Sequence, residues 1–120
     1  MTPNFTNAEL VCKCGCGMLP KKDFIDKIQK LRELVGFTLP VSSAARCPKH
    51  NSKVSQTGLQ GPHTTGRAID LQVSHENAYN VLKTALAMGC FTGVGIQQKG
   101  QGRFIHLDDL QTNRPALWSY

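Results

Sequence analysis

The sequence predicts an α+β fold, because two segments with helical periodicity alternate with short segments in which apolar and polar residues alternate. The last two strand-like segments are separated by a glycine-containing turn, residues 98–102, which is typical of a β-hairpin. The 120 residues, 40% of them hydrophobic, suffice for one compact domain spanning 1–120 that buries its own core. No repeat, linker or low-complexity segment divides the chain.

Two helices are predicted. In residues 23–35 the apolar side chains recur on one face, and Gly36 is suited to end the helix in a left-handed conformation. These apolar residues are Phe24, Ile25, Ile28, Leu31, Leu34 and Val35. The second helix is predicted over 74–89, with Ser74 as its N-cap, Glu76 in its first turn and Gly89 at its end.

Four strands are predicted, at residues 39–43, 67–73, 92–97 and 103–108. In residues 67–73 the apolar side chains share one face, so Asp70 should point away from the core. In residues 103–108 the side chains of Phe104, His106 and Asp108 share one face, and those of Ile105 and Leu107 share the other. Residues 45–62, rich in Gly, Ser, Asn and Pro, are predicted to form a long loop.

Three residues of this framework form a candidate metal site: His63, Asp70 and His106. Two imidazoles and a carboxylate leave a fourth position open, which is typical of catalytic zinc and not of structural zinc. Gly66, between the first two, suits the bend from a loop into a strand. If the strands that carry Asp70 and His106 are adjacent, the three side chains can meet on one face of the sheet.

Other interpretations remain open from the residues alone. A lone histidine is more often a surface or satisfied core residue, an outward-facing Asp is usually only solvated, and the same ligand set occurs in non-haem iron enzymes. His50 and His75 are weaker candidates. We expect His50 to hydrogen-bond within its loop, and we expect His75 to be exposed at the start of a helix.

Cysteines provide a second candidate. Three of the five lie close together as Cys12, Cys14 and Cys16, whereas Cys47 and Cys90 are distant in sequence. The odd number argues against a complete disulfide framework. A structural zinc site is one interpretation, but C-x-C-x-C is tighter than the usual C-x2-C spacing, so thiols in a reducing compartment are favoured. Cys90 is expected in the core.

Charge and hydropathy restrict the partners. The 14 Lys and Arg residues against 8 Asp and Glu give a net charge of +6, which favours polyanionic surroundings such as nucleic acid or an anionic cell wall. With 7% aromatic residues and no nucleic-acid motif, a nucleic-acid partner is not expected. No apolar run approaches the ~20 residues that span a bilayer, and residues 1–7 have no features of an ordinary secretory signal.

A pattern over nearly the whole chain adds a resemblance to a known family. It comprises Phe5 and Glu9 before Cys14-Gly15-Cys16-Gly17, V-S-S-A-A-R-C-P-K-H-N at 41–51, H-x-x-G-x-A-x-D at 63–70, Gly93-Val94-Gly95, and F-I-H-L-D at 104–108. This order resembles the zinc D-Ala-D-Ala carboxypeptidase family of peptidoglycan peptidases, and it is closest to the compact single-domain phage and bacterial branch.

The resemblance implies a hedgehog/D-Ala-D-Ala-peptidase-like fold, with a small antiparallel sheet and flanking helices. It implies a zinc ion (Zn²⁺) on His63, Asp70 and His106, and a metallopeptidase of the D,D-carboxypeptidase or endopeptidase type that hydrolyses peptidoglycan stem peptides. Arg46 matches an arginine that binds a substrate carboxylate or the developing oxyanion; alternatively, it holds the long loop through backbone carbonyls. The place of action would be the bacterial cell wall, reached by release from the cytoplasm or from a virion.

The chain departs from the family pattern at the general acid/base. The positions that carry it in many members are Arg103 and Phe104 here, and neither can transfer a proton in that role. Asp108 is the substitute candidate, as a base or as an acceptor that orients a ligand histidine, and the second role is favoured. The alternative function is a non-catalytic, zinc-containing module that binds the cell wall or forms part of a virion. Gly61 also replaces a common Ser.

Overall fold

The computed structural model describes residues 1–120 and is organised around one five-stranded sheet of order β1-β2-β4-β3-β5. The strands are β1 (Val41–Ser43), β2 (Ala68–Leu71), β3 (Gly93–Gln97), β4 (Phe104–Asp108) and β5 (Ala116–Ser119). The helices are α1 (Asn7–Leu10), α2 (Lys22–Val35), α3 (Pro48–Val54) and α4 (His75–Met88), with a 3₁₀ turn at Pro62–Thr65. The predicted α+β fold is confirmed.

Sheet topology agrees with the prediction except at one edge. β1 pairs with β2, β2 with β4 and β3 with β4, all antiparallel, and β3–β4 is the predicted hairpin. A fifth strand, β5, was not predicted. The chain leaves β4, passes the end of β3 and returns along its far side, so β5 runs antiparallel to β4 and parallel to β3.

The hydrophobic core is a cluster of 18 buried residues that joins the helices to one face of the sheet. Helix α2 contributes Phe24, Ile25, Ile28 and Leu31 of its predicted apolar stripe, whereas Leu34 of that stripe is exposed. Helix α4 contributes Ala78, Val81 and Ala85. Strands β2 and β4 contribute Ile69, Leu71, Ile105 and Leu107. Each large side chain so buried contributes roughly 1.5–3 kcal/mol, which fixes the phase of both strands. The opposite face is thereby left for the polar side chains of β2 and β4.

Local details both confirm and correct the sequence analysis. Gly36 and Gly89 end α2 and α4 with φ of 78° and 72°, as predicted. Ser74 occupies the N-cap of α4, but its side chain makes no capping hydrogen bond. The predicted loop 45–62 contains helix α3, which begins at Pro48, because proline at the first helical position loses no hydrogen bond. None of the helices is long and apolar enough to cross a membrane.

An ion cluster around Asp109 connects the two central strands to α2. Arg67 donates to both carboxylate oxygens of Asp109 at 2.8 Å, and Lys27 of α2 donates to Oδ2 at 2.7 Å. Arg67 also binds Asp23, with Nη1 3.0 Å from Oδ1. Since Arg67 directly precedes β2 and Asp109 directly follows β4, the cluster holds the paired ends of these strands against the helix.

We predict that Asp109→Asn destabilises the fold in a pH-dependent way. Burial alone raises the pKa of Asp109, but hydrogen bonds from Arg67 and Lys27 outweigh it and lower that pKa. The carboxylate therefore stabilises the fold above its unfolded pKa of about 3.9, and this contribution is lost as the pH falls through the folded value. We expect a loss of about 2 kcal/mol at neutral pH. Urea unfolding over a pH series measures it.

The matched control is Asp26→Asn, whose carboxylate pairs only with Lys22 on the exposed side of α2. This control should leave the free energy of unfolding nearly unchanged. The difference between wild type and Asp109→Asn should close below about pH 4. A difference that stays constant well below pH 4 would contradict an ionic role for Asp109.

Candidate metal centre

The structure brings His63, Asp70 and His106 together on the sheet face opposite the core. Their ligand atoms all lie within 4.8 Å of one another, and all three residues are buried. Asp70 Oδ1 is 3.2 Å from His63 Nε2 and 3.0 Å from His106 Nδ1. A single ion in contact with all three atoms is therefore sterically feasible.

Strand pairing and one turn position these side chains. The register of β2 and β4 places Asp70 directly opposite His106, and both face away from the core as predicted. His63 lies in the 3₁₀ turn, which Gly66 ends with φ of 75°. This left-handed conformation favours glycine, so the bend predicted at Gly66 is confirmed.

Hydrogen bonds outside the site determine which ring nitrogens are free. His63 Nδ1 lies 2.7 Å from the carbonyl oxygen of Ala44, which can only accept, so this nitrogen carries the proton. His106 Nε2 likewise donates to Asp108 Oδ2 at 2.8 Å. In the neutral imidazoles, Nε2 of His63 and Nδ1 of His106 then present lone pairs toward the Asp70 carboxylate. Such a set of acceptors fits a divalent cation, whose charge would offset their repulsion.

Electrostatics of the triad support an ionised Asp70. Burial alone raises its pKa, but hydrogen bonds from His106 and His63 lower that pKa well below the usual range. Burial alone lowers the pKa of His106, but hydrogen bonds to Asp108 and Asp70 raise it overall. Without a metal ion, a proton between the imidazoles and the carboxylate therefore stabilises the site. A metal ion must displace that proton, so its affinity decreases at low pH.

Asp108 lies behind His106 and is fully buried. Arg114 binds it with two hydrogen bonds, Nε to Oδ1 at 2.9 Å and Nη2 to Oδ2 at 2.8 Å. Burial alone raises the pKa of Asp108, but the bonds from Arg114 and His106 hold it well below the usual range. Gly93 pairs with Asp108 across the hairpin, and a Cβ at position 93 would overlap the carboxylate. Asp108 does not line the cleft. The role of Arg114 was not predicted from the sequence.

The three candidate ligands line a cleft of about 400 Å³. Phe104, Trp118 and Tyr120 form an aromatic wall, with the ring centroids of Phe104 and Tyr120 5.0 Å apart and those of Trp118 and His106 5.1 Å apart. Trp118 lies over Gly95, where a side chain would overlap the indole. Sequence reasoning missed Trp118 and Tyr120, although the two-residue spacing of 116, 118 and 120 was a signal for a strand.

Arg46 lies beside the candidate ligand Asp70 and lines the same cleft. Its Nη2 is 3.6 Å from Asp70 Oδ2, while Nε donates to Ser43 Oγ at 2.9 Å and Nη1 to Asn51 Oδ1 at 3.1 Å. These partners are side chains and not the backbone carbonyls of the alternative interpretation. Asn51 is itself fixed by Thr57, whose side chain occupies the space beside Gly61. The guanidinium is therefore held in a defined position.

The remaining candidates lie outside the site. Arg103 donates to the backbone oxygen of Gly100 at 2.8 Å and does not line the cleft. His75 is exposed at the start of α4, and His50 lies on α3 beside the cysteines. Among the side chains that line the cleft, Asp70 is the only carboxylate.

Comparison with known families gives one finding. Residues 3–108 match the family model described as Peptidase M15. None of the curated proteins or solved structures compared with the chain gives a match. The matched range includes His63, Asp70 and His106 and ends at Asp108, so β5 with its aromatic side chains lies beyond it.

We predict that Asp108→Asn weakens zinc binding by the triad about 10- to 100-fold. An asparagine replaces one carboxylate oxygen by an NH₂ group. If this group takes the place of Oδ1, it opposes the N–H of Arg114 Nε, and if it takes the place of Oδ2, it favours the wrong tautomer of His106. Competition with a chromophoric chelator measures the affinity. Asp26→Asn is the control and should bind zinc as the wild type does. An unchanged affinity in Asp108→Asn would contradict the orienting role.

Proposed function

Because the chain belongs to the Peptidase M15 family, of the zinc D-Ala-D-Ala carboxypeptidase type, we propose that it is a zinc peptidase that hydrolyses peptide bonds in peptidoglycan stem peptides. The observation that carries the proposal is the convergence of two histidine lone pairs and one carboxylate at the base of an open cleft. The protein would act at the bacterial cell wall, after release from the cytoplasm or as part of a virion.

His63, Asp70 and His106 would hold the metal ion, and Asp108 would hold His106 in the tautomer that leaves Nδ1 free. Zinc bound there would act as a Lewis acid on the scissile carbonyl and lower the pKa of a bound water. One carboxylate and two neutral imidazoles leave the site with a net positive charge. This charge suits the stabilisation of negative charge that develops on the carbonyl oxygen.

Arg46 would bind an anionic group of the substrate beside the metal ion. Ser43 and Asn51 fix the plane of its guanidinium, which is a planar fork of hydrogen-bond donors. A terminal carboxylate or the developing oxyanion can each accept a forked pair of hydrogen bonds. The aromatic wall of Phe104, Trp118 and Tyr120 would pack against the apolar parts of the peptide.

Asp108 is proposed as a positioning residue and not as the base. Both of its oxygens are bonded, to His106 and Arg114, and it is shielded from the cleft. The shortage of cleft carboxylates favours a second candidate function, a non-catalytic zinc-containing module that binds the cell wall. Both functions require the metal centre, but only the peptidase breaks a bond.

We predict that the zinc-loaded protein releases peptide fragments from purified peptidoglycan, and that a chelator stops the release. His63→Ala should reduce it to background, because the site loses a ligand. His75→Ala removes an exposed histidine outside the site and should leave the rate unchanged. Chromatography of the soluble products with mass detection measures the release.

Failure to release fragments with any divalent metal would contradict hydrolysis. If the same preparation still binds zinc through His63 and sediments with cell walls, the binding module is the correct function. Unchanged release by His63→Ala would contradict the assigned metal centre.

We predict that Arg46→Lys distinguishes the two anions that Arg46 could bind. Loss of forked, charged hydrogen bonds costs about 1.5–3 kcal/mol. If Arg46 binds a terminal carboxylate, KM rises about 10- to 100-fold for peptides with a free carboxylate and stays unchanged for their amides. If it stabilises the oxyanion, kcat falls for both. Arg103→Lys, outside the cleft, is the control, and wild-type kinetics in Arg46→Lys would exclude both roles.

A further inference from the structure

A second group of metal-ligating side chains lies outside the cleft. The Sγ atoms of Cys12, Cys14, Cys16 and Cys47 are all within 4.8 Å of one another. Cys14 Sγ is 3.5 Å from both Cys12 Sγ and Cys47 Sγ. Cys47 is distant in sequence, but the fold brings it to the C-x-C-x-C segment, where it completes a set of four thiols.

We propose that these four cysteines bind a structural zinc ion. A Zn–S distance of about 2.3 Å in a tetrahedron separates neighbouring sulfurs by about 3.8 Å, close to the separations in this cluster. A disulfide requires about 2.0 Å between sulfurs. An iron–sulfur cluster distributes its cysteines over different irons and needs a wider separation. One ion with four thiolates fits best, and a closed site of this kind is structural.

The local backbone explains how cysteines spaced as C-x-C-x-C can bind one ion. Gly15 and Gly17 have φ of 87° and 86°, left-handed conformations that let the segment fold back on itself. The N–H of Gly15 donates to the oxygen of Cys12, and the N–H of Cys12 donates to the oxygen of Met18 at 2.8 Å. Cys47 then supplies the fourth ligand from the start of α3, so the three clustered thiols need not close the site alone.

Hydrogen bonds and charge around the cluster favour thiolates. The N–H of Cys47 donates to Cys12 Sγ at 3.3 Å, and the N–H of His50 donates to Cys47 Sγ at 3.4 Å. Such donors stabilise the negative charge of a ligating sulfur. Four thiolates and Zn²⁺ carry a net charge of −2, and Lys49 and Lys53 line the same depression with opposite charge. Cys90 lies apart; it was predicted in the core but is only partly buried against it.

The proposed ion would stabilise residues 44–47. This segment includes Arg46, which lines the cleft, and Ala44, which accepts a hydrogen bond from His63. Cys47 directly follows Arg46, whose N–H donates to the oxygen of His63 at 3.1 Å. The carbonyl oxygen of Ala44 accepts from His63 Nδ1, and the N–H of Ala45 donates to the oxygen of Leu10. A metal link between residues 12–16 and Cys47 would thus help to hold residues 44–47 in place.

Metal content and the cobalt spectrum test this site without any assay of activity. The wild type should bind two zinc ions per chain, and His63→Ala/His106→Ala should retain one. Cys14→Ser/Cys16→Ser in that background should bind none, whereas Cys90→Ser in the same background should still bind one. Both replaced cysteines of the pair are exposed, so no core packing is lost. With cobalt in place of zinc, only thiolate ligands give an intense near-ultraviolet charge-transfer band.

The cobalt band should be present in the wild type and in His63→Ala/His106→Ala. Since this readout needs no cysteine substitution, it tests for thiolate ligands even if the cysteine variants do not fold. Thiol labelling of the zinc-loaded protein should modify only Cys90. Absence of the band in protein prepared under reductant, five reactive thiols in the presence of zinc, or disulfides in that protein would each overturn the proposal. None of these results depends on peptide hydrolysis.

Discussion

The antiparallel pairing of β2 with β4 is the constraint on which the rest of the site depends. One face of these strands is fixed by burial of Ile69, Leu71, Ile105 and Leu107, and a shift of one residue would expose them all. The same register places Asp70 opposite His106 on the other face. Hydrophobic burial therefore sets the distance between two polar side chains that never enter the core.

Around this pair, hydrogen-bond acceptors determine which ring nitrogen of each histidine carries the proton. A backbone carbonyl fixes one imidazole and a buried carboxylate fixes the other, so each ring turns its free nitrogen toward Asp70. Arg114 in turn holds the buried carboxylate. The chemistry expected of the Peptidase M15 family thus depends also on Asp108 and Arg114, which do not line the cleft.

Much of this could be predicted from local patterns, and the failures have physical causes. Period-two alternation identified β2 and β4 and the outward face of Asp70, and the glycines marked the helix ends. The spacing of residues 116, 118 and 120 was a local signal for β5, but its parallel pairing with β3 depends on contacts that no local pattern encodes. Helix α3 was missed because its residues have turn-forming side chains, and Cys47 was separated from the other thiols because only the fold joins them.

Gly93 and Gly95 restrict how this sequence can change. Both lie on β3 and pair with Asp108 and His106 of β4, and the volumes that their side chains would fill are occupied by Asp108 and Trp118. The orientation of His106 therefore depends partly on the absence of a side chain at these two positions. A larger residue at position 93 or 95 would first have to displace the side chain of Asp108 or Trp118. Variation is therefore restricted at two positions that do not line the cleft.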